Sequence, residues 1–179
     1  MPDWIIDLNQ INQLAAARHD DFEVMRYMLE ADDDIDDSRL DTYVDQIAAP
    51  IIEAIDCTQC ANCCRSLDVY LTQADAQRLA TGVHIPVEHI TTQYIDRQAG
   101  AEAGEWGKFR SQPCAFLSGK LCSIYDQRPE SCRIYPVFTP DFRWTLADTI
   151  EGASLCPIIY NVLVAMLDEV DKIIRPDTE

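Results

Sequence analysis

The chain has 179 residues, 47% of them hydrophobic and 25% charged, with a net charge of −17. This fits one globular domain that buries a core without external staples; it excludes collagen, wholesale disorder and a membrane bundle, because no apolar run reaches the roughly 18 residues a spanning helix needs. So much negative charge repels nucleic acid and anionic membranes, and suits a solubilising surface or a basic partner.

The acid is concentrated at the front. Residues 1–56 carry 15 acidic and 3 basic side chains, residues 57–156 carry 11 and 9, and residues 157–179 carry 5 and 2. The opening "MPDWIIDLNQ" has Asp3 and Asp7 and no basic residue before Arg18. A secretory signal starts basic and turns apolar, so the expected location is the cytoplasm, where thiols stay reduced. Ile11, Leu14, Ala15, Phe22, Met25 and Leu29 recur at intervals that predict one helix over about 8–31. The "ADDDIDDS" that follows lacks the glycine and glutamate of a calcium loop and is expected to be a solvated linker. Leu40, Tyr43, Val44, Ile47, Ile51 and Ile55 predict a helix over about 38–55, kinked or split at Pro50, that delivers the chain into Cys57.

"LDVYLT" is strand-like. Thr72 with Asp75 reads as a helix N-cap, and that helix is expected to end at Gly82. Pro86 opens another helix running to about Gln98, followed by a small-residue loop, "AGAEAGEWG". "PCAFLSGKLCSIY" predicts a hairpin turning at Ser118-Gly119-Lys120, which sets Phe116 opposite Cys122 and puts Cys114 and Cys122 on one face. The last predicted helix starts at Pro157, runs to about Arg175 and leaves Cys156 at its N-cap.

Four of the eight cysteines fall in "CTQCANCC", a C-x2-C-x2-C-C pattern at Cys57, Cys60, Cys63 and Cys64. Cys114, Cys122, Cys132 and Cys156 are the others. Disulfides are disfavoured by the compartment and by a chain long enough to do without them. Thiol catalysis lacks a preceding thioredoxin-like unit, and His19, His84 and His89 read as surface or capping residues. Metal binding carries most weight, because crowded thiolates repel one another unless a cation holds them. C-x2-C-x2-C offers three thiolates to one centre, as in cubane iron–sulfur proteins, whereas C-x2-C alone suits tetrahedral zinc. Adjacent Cys63 and Cys64 are expected to point in different directions and to serve two neighbouring centres or bridge them. Cys156-Pro157 is similar to the closing ligand of ferredoxin sites. Arg65, Arg128 and Arg133 stand beside cysteines, either offsetting sulfur charge or forming ordinary surface ion pairs.

"CTQCANCC", "VYLTQADAQRLATG", "PCAFLSGKLCSIYDQRPESCRIYPVF" and "LCP" together resemble the CxxCxxCC cysteine-cluster family, also called YkgJ-type, a zinc- or iron-chelating domain. The resemblance runs from about Cys57 to Pro157. It implies that Cys57, Cys60, Cys63, Cys64, Cys114, Cys122, Cys132 and Cys156 act together on metal, and it leaves zinc and iron open. In that motif Pro129 starts a helical turn carrying Cys132, and Tyr125 and Tyr135 either shield the centre from water or simply fill core.

The expectation is a mainly α, α-rich single domain with a loop-built cysteine metal core and one short β-hairpin. It divides into an acidic helical segment (1–56), a metal-binding region (57–157) and a C-terminal helix (158–179). The expected cofactor is an iron–sulfur cluster, [4Fe–4S] being favoured, for electron transfer or cluster-dependent modification. Zinc in a non-catalytic interaction module and a metal-free thiol redox enzyme are the alternatives. The expected partner is a protein, basic or redox-active. No catalytic residue or substrate is identified.

Overall fold

The computed structural model describes residues 4–174. Residues 1–3 of the acidic segment and 175–179 of the last predicted helix lie outside the described residues. Asp7 opens α1 (Leu8–Ala17) by accepting the Gln10 amide, and the helix buries Ile11 and Ala15. The single helix predicted over 8–31 breaks at Arg18, whose φ of −104° and ψ of 5° lie in the bridge region. Helix α2 (His19–Ala31) restarts there, with Asp20 and Asp21 in the first turn, where the helix dipole favours acids. It buries Phe22, Met25 and Leu29.

The acidic stretch that follows is more than a solvated linker. Asp32 accepts the Asp34 and Ile35 amides, Ile35 is buried, and Asp36 caps α3 (Asp37–Ala54) through the Ser38 and Arg39 amides. Helix α3 passes through Pro50 unsplit. Proline removes the amide that would bond the Gln46 carbonyl, but both residues lie on the exposed face, so that carbonyl is not buried without a donor. Leu40, Val44, Ala48 and Ile51 form the buried face.

Contacts sort the chain into two compact units: Met1–Asp56 with Pro136–Glu179, and Cys57–Tyr135. Unit two holds α4 (Cys63–Ser66), β1 (Tyr70–Leu71), α5 (Gln73–Val83), α6 (Val87–Tyr94), β2 (Ile95–Asp96), α7 (Arg97–Glu102), β3 (Gly107–Phe109), β4 (Leu117–Ser118), β5 (Leu121–Cys122) and α8 (Glu130–Ile134). The helix predicted to run to Gln98 is thus cut by a strand. The small-residue segment, expected as a loop, starts as helix through Glu102, turns over 103–106 and enters strand at Gly107. Strand β3 is the centre of an antiparallel sheet, β1-β3-β2, with Tyr70 opposite Lys108 and Ile95 opposite Phe109. Leu71, Ala76, Leu79, Ile90, Ile95, Phe109, Phe116 and Ile124 form its apolar core. Each large side chain removed from water there contributes about 1.5–3 kcal/mol.

Unit one is completed by α9 (Phe142–Gly152) and α10 (Pro157–Ile174). The α9 segment shows no clean apolar period, because its second residue is a buried arginine. The Arg143 guanidinium donates to the carbonyls of Leu29, Asp32 and Ile35 and pairs with Asp37. It thereby closes the turn between α2 and α3. Helix α10 buries Ile159, Leu163, Met166, Val170 and Ile173 against α3, α2 and α1. Residues 136–156 belong by their contacts to this unit, and Cys156 with them. The fold is mainly α. No helix among the described residues is long and apolar enough to cross a membrane.

Candidate metal centre

Seven of the eight cysteines lie in unit two, on four short pieces of chain held by backbone and side-chain hydrogen bonds. The first piece is a 3-10 turn, Cys57–Gln59, in which the Cys57 carbonyl accepts the Cys60 and Ala61 amides. Ala61 takes a left-handed φ of 54°, a conformation that costs a non-glycine residue about 1–2 kcal/mol, and this bend turns the chain from Cys60 into α4. Helix α4 carries Cys63 and Cys64. Arg65 then reaches back and across: Nη1 donates to the Cys60 carbonyl at 2.8 Å and Nη2 to the Gly119 carbonyl at 2.9 Å. The cysteine loop is thereby tied to the tip of the hairpin.

Cys114 is fixed by its own amide, which donates to the Cys64 carbonyl at 2.8 Å. The hairpin differs from expectation. Leu117 pairs with Cys122 and Ser118 with Leu121, so the turn is the two residues Gly119-Lys120, with Gly119 at φ 64°. With this register Phe116 is not opposite Cys122, and Cys114 and Cys122 do not share a strand face. Cys114 instead sits in a turn before β4, where its carbonyl accepts the Leu117 amide. Both thiols pack against the apolar core of the unit.

Cys132 rides on α8, which Pro129 opens from the N-cap position. Helix α8 is held from below by Asp75. One Asp75 oxygen accepts the Thr72 amide and hydroxyl of the α5 capping box; the other accepts the Glu130 amide at 3.0 Å. The capping box was legible in the sequence, but its second use was not, because nothing local links Asp75 to a residue 55 positions on.

The sulfurs influence one another. Cys63 and Cys64 Sγ lie 3.9 Å apart, so the adjacent pair converges, contrary to expectation. The hydrogen bond from Cys63, aided by the charges of Arg65 and Arg128 and opposed by burial, pulls the Cys64 thiol down to about 6. Burial, together with the negative charge of Cys64 and Cys122, raises Cys114. Burial and Cys64 likewise raise Cys122. Cys132 is pushed up to about 12, by burial first and then by Cys64, Cys114 and Cys122. Cys64, Cys114, Cys122 and Cys132 are thus one electrostatic group, although their elements are far apart in sequence. Arg65 and Arg128 act on that group, whereas Arg133 is spent on the Arg128 and Asp126 carbonyls.

The remaining expected residues fall as follows. Cys57 is exposed and Cys60 half-buried in the opening turn. Cys156, in unit one, is buried and accepts the Tyr160 amide at the start of α10, as the N-cap reading expected. His19, His84 and His89 are exposed. Tyr125 is 48% exposed, with Arg128 stacked 3.6 Å from its ring. Among the described residues, no three His, Cys, Asp or Glu side chains are already gathered into a coordination group.

The donor set suits a thiophilic ion. Tetrahedral zinc with bonds of about 2.3 Å to sulfur places its ligands about 3.8 Å apart. The Cys63–Cys64 separation of 3.9 Å matches one edge of such a site. All eight cysteines are thiols, so the sulfur needed for zinc or iron is present in the chain. A model of the CxxCxxCC family, described as "putative zinc- or iron-chelating domain", matches residues 56–156, more than half of the chain. No curated protein and no solved structure matches.

Proposed function

We propose, from the premise that this chain belongs to the CxxCxxCC family, that it is a metal-binding protein whose cysteines hold iron as an iron–sulfur cluster. Cys57, Cys60, Cys63, Cys64, Cys114, Cys122, Cys132 and Cys156 are the proposed ligands. What carries this reading is the gathering of cysteines from distant parts of unit two: Cys63 and Cys64 Sγ lie 3.9 Å apart, the Cys114 amide donates to the Cys64 carbonyl at 2.8 Å, and Cys114 and Cys122 pack on one apolar core. A bound cation would turn the mutual repulsion of such thiolates into binding. The C-x2-C-x2-C spacing and the Cys156-Pro157 pair favour a cluster, [4Fe–4S] first. When bound, it would supply one-electron chemistry, for electron transfer or a cluster-dependent modification. This chain's own residues would hold and tune it: Arg65 and Arg128 by charge, Arg65 also by fixing the Cys60 loop, and the apolar core by excluding water beside Cys114 and Cys122.

The 3.9 Å Cys63–Cys64 edge supports a second reading, tetrahedral zinc in a structural or interaction module. In either case the working location is the reducing cytoplasm, and the partner is a protein that tolerates a net charge of −17, basic or redox-active.

Elemental analysis with a visible spectrum, on protein purified without oxygen, separates the readings. Several irons per chain and a band near roughly 400 nm support the cluster. Zinc without a visible band supports the second reading and removes electron transfer. Protein without stoichiometric metal rejects both and leaves the thiol-enzyme alternative. Cys64→Ser and Cys132→Ser are each expected to lower metal content in the same assay, while Cys→Ser changes that leave it intact remove those residues from the ligand set.

A further inference from the structure

Behind β1 and β3, a cleft of about 120 Å³ opens in unit two, with Cys114 among its walls. This is well under the roughly 300 Å³ at which drug-sized pockets begin, so it suits a molecule of a few heavy atoms. Lys108, on β3, and Arg110, in the bend just after it, both line the cleft. Asp68 is the one acid in the wall, and Ser111 and Val69 add a hydroxyl and an apolar surface.

The charges leave one cationic fork underused. Lys108 Nζ is bonded to Asp68 at 2.9 Å. Arg110 makes a single long pair, 3.5 Å, with Asp96, which lies outside the cleft wall. A guanidinium presents five donors in a plane and is best satisfied by a bidentate carboxylate. The wall's net charge is +1, from two cations and one anion. That balance matches a monoanion and disfavours a dianion, which would face Asp68 uncompensated. None of this is needed to hold metal.

We propose that the cleft binds a small monocarboxylate, its head on Arg110 and Lys108 and its short apolar end over Val69 towards Cys114. On the reading that Cys114 is a metal ligand, the bound molecule lies beside the metal centre, as a substrate or added ligand does. The cleft itself does not depend on that reading, and the test keeps the two apart.

The test titrates acetate into the purified full-length chain, followed by amide NMR, with metal content measured on the same sample. Methylammonium and inorganic phosphate serve as comparison probes. Acetate is expected to saturate with a Kd of about 1 mM, shifting the Arg110, Ser111 and Cys114 amides. Arg110→Gln is expected to weaken it at least tenfold, Arg110→Lys to restore part of the loss, and Lys172→Met, far along α10, to change nothing. Absence of saturation, equal binding to methylammonium, tighter binding of phosphate, or unchanged affinity in Arg110→Gln would each overturn the proposal. If the metal reading fails instead, acetate still shifts these amides in protein that carries no metal. If metal is present and acetate shifts nothing, only the cleft assignment falls.

Discussion

Asp75 serves two helices at once. It is 2% exposed, and its oxygens accept from the Thr72 amide and hydroxyl, starting α5, and from the Glu130 amide, starting α8. Burial works against its negative charge, but these donors and Arg78 outweigh burial and hold the carboxyl below its ordinary range. Asp75→Asn aims an amide donor at other donors and is expected to cost about 2 kcal/mol at neutral pH by urea unfolding. Because the folded pKa is depressed, the stability Asp75 contributes is present above the unfolded value of about 3.9 and is lost as pH falls through the lower folded value. The difference between wild type and Asp75→Asn should therefore shrink below about pH 4; a difference constant with pH would show that the carboxylate charge is not what matters. Arg143 is the counterpart in unit one, 4% exposed, with three carbonyls depending on it. Arg143→Met is expected to cost about 1–3 kcal/mol in the same assay, since it leaves those carbonyls without their donor, while Asp37 keeps the Trp144 indole.

Among the elements, the contact of α7 with β3 leaves no room for a side chain at its glycines. A Cβ on Gly100 would meet the Gly107 Cα at 2.4 Å, and one on Gly107 would meet Ile95 Cγ2 at 2.6 Å. Gly100→Ala must therefore push backbone against backbone and is expected to destabilise unit two by about 1–3 kcal/mol, read as a lower urea midpoint. Gly104, at φ 78° with open space around it, is expected to resist replacement through strain rather than crowding. This corner of the fold was hidden in the sequence. Strands of two or three residues, such as Ile95–Asp96 and Gly107–Phe109, are too short to show an alternating period, and alanines and glycines around them read as loop. Helices α3 and α10 were legible because their apolar residues repeat over 18 positions each. Helix α9 was not, because Arg143 sits where the pattern wants an apolar residue. For the candidate site, spacing identified the cysteines, yet their grouping depends on links such as Cys114 to Cys64 and Arg65 to Gly119, 54 residues apart, which no local pattern encodes.

At the scale of the whole chain, charge and connectivity divide the same way. Unit two holds 8 acidic and 8 basic residues, whereas the flanking segments that make unit one hold 23 and 6. All of the net charge of −17 therefore belongs to unit one, where like charges repel across one small surface. Raising sodium chloride from about 20 mM to about 0.5 M, which shrinks the screening length several-fold, is expected to raise the melting temperature of unit one more than that of unit two. Calorimetry with the two transitions assigned by Arg143→Met and Gly100→Ala checks this, and an equal response of both would contradict it.

Unit two is one unbroken run of chain, and unit one is not. A ribosome reading from the amino end therefore finishes residues 57–135 while α1, α2 and α3 still lack the helices that cover their apolar stripes. At about 5–20 residues per second, residues 136–174 arrive roughly 2–8 s later. Every residue of the seven-cysteine unit is therefore joined to the chain before the second half of the acidic unit exists. Unit two can thus begin to fold from one contiguous stretch, whereas unit one has to hold its first half open until its second half is made.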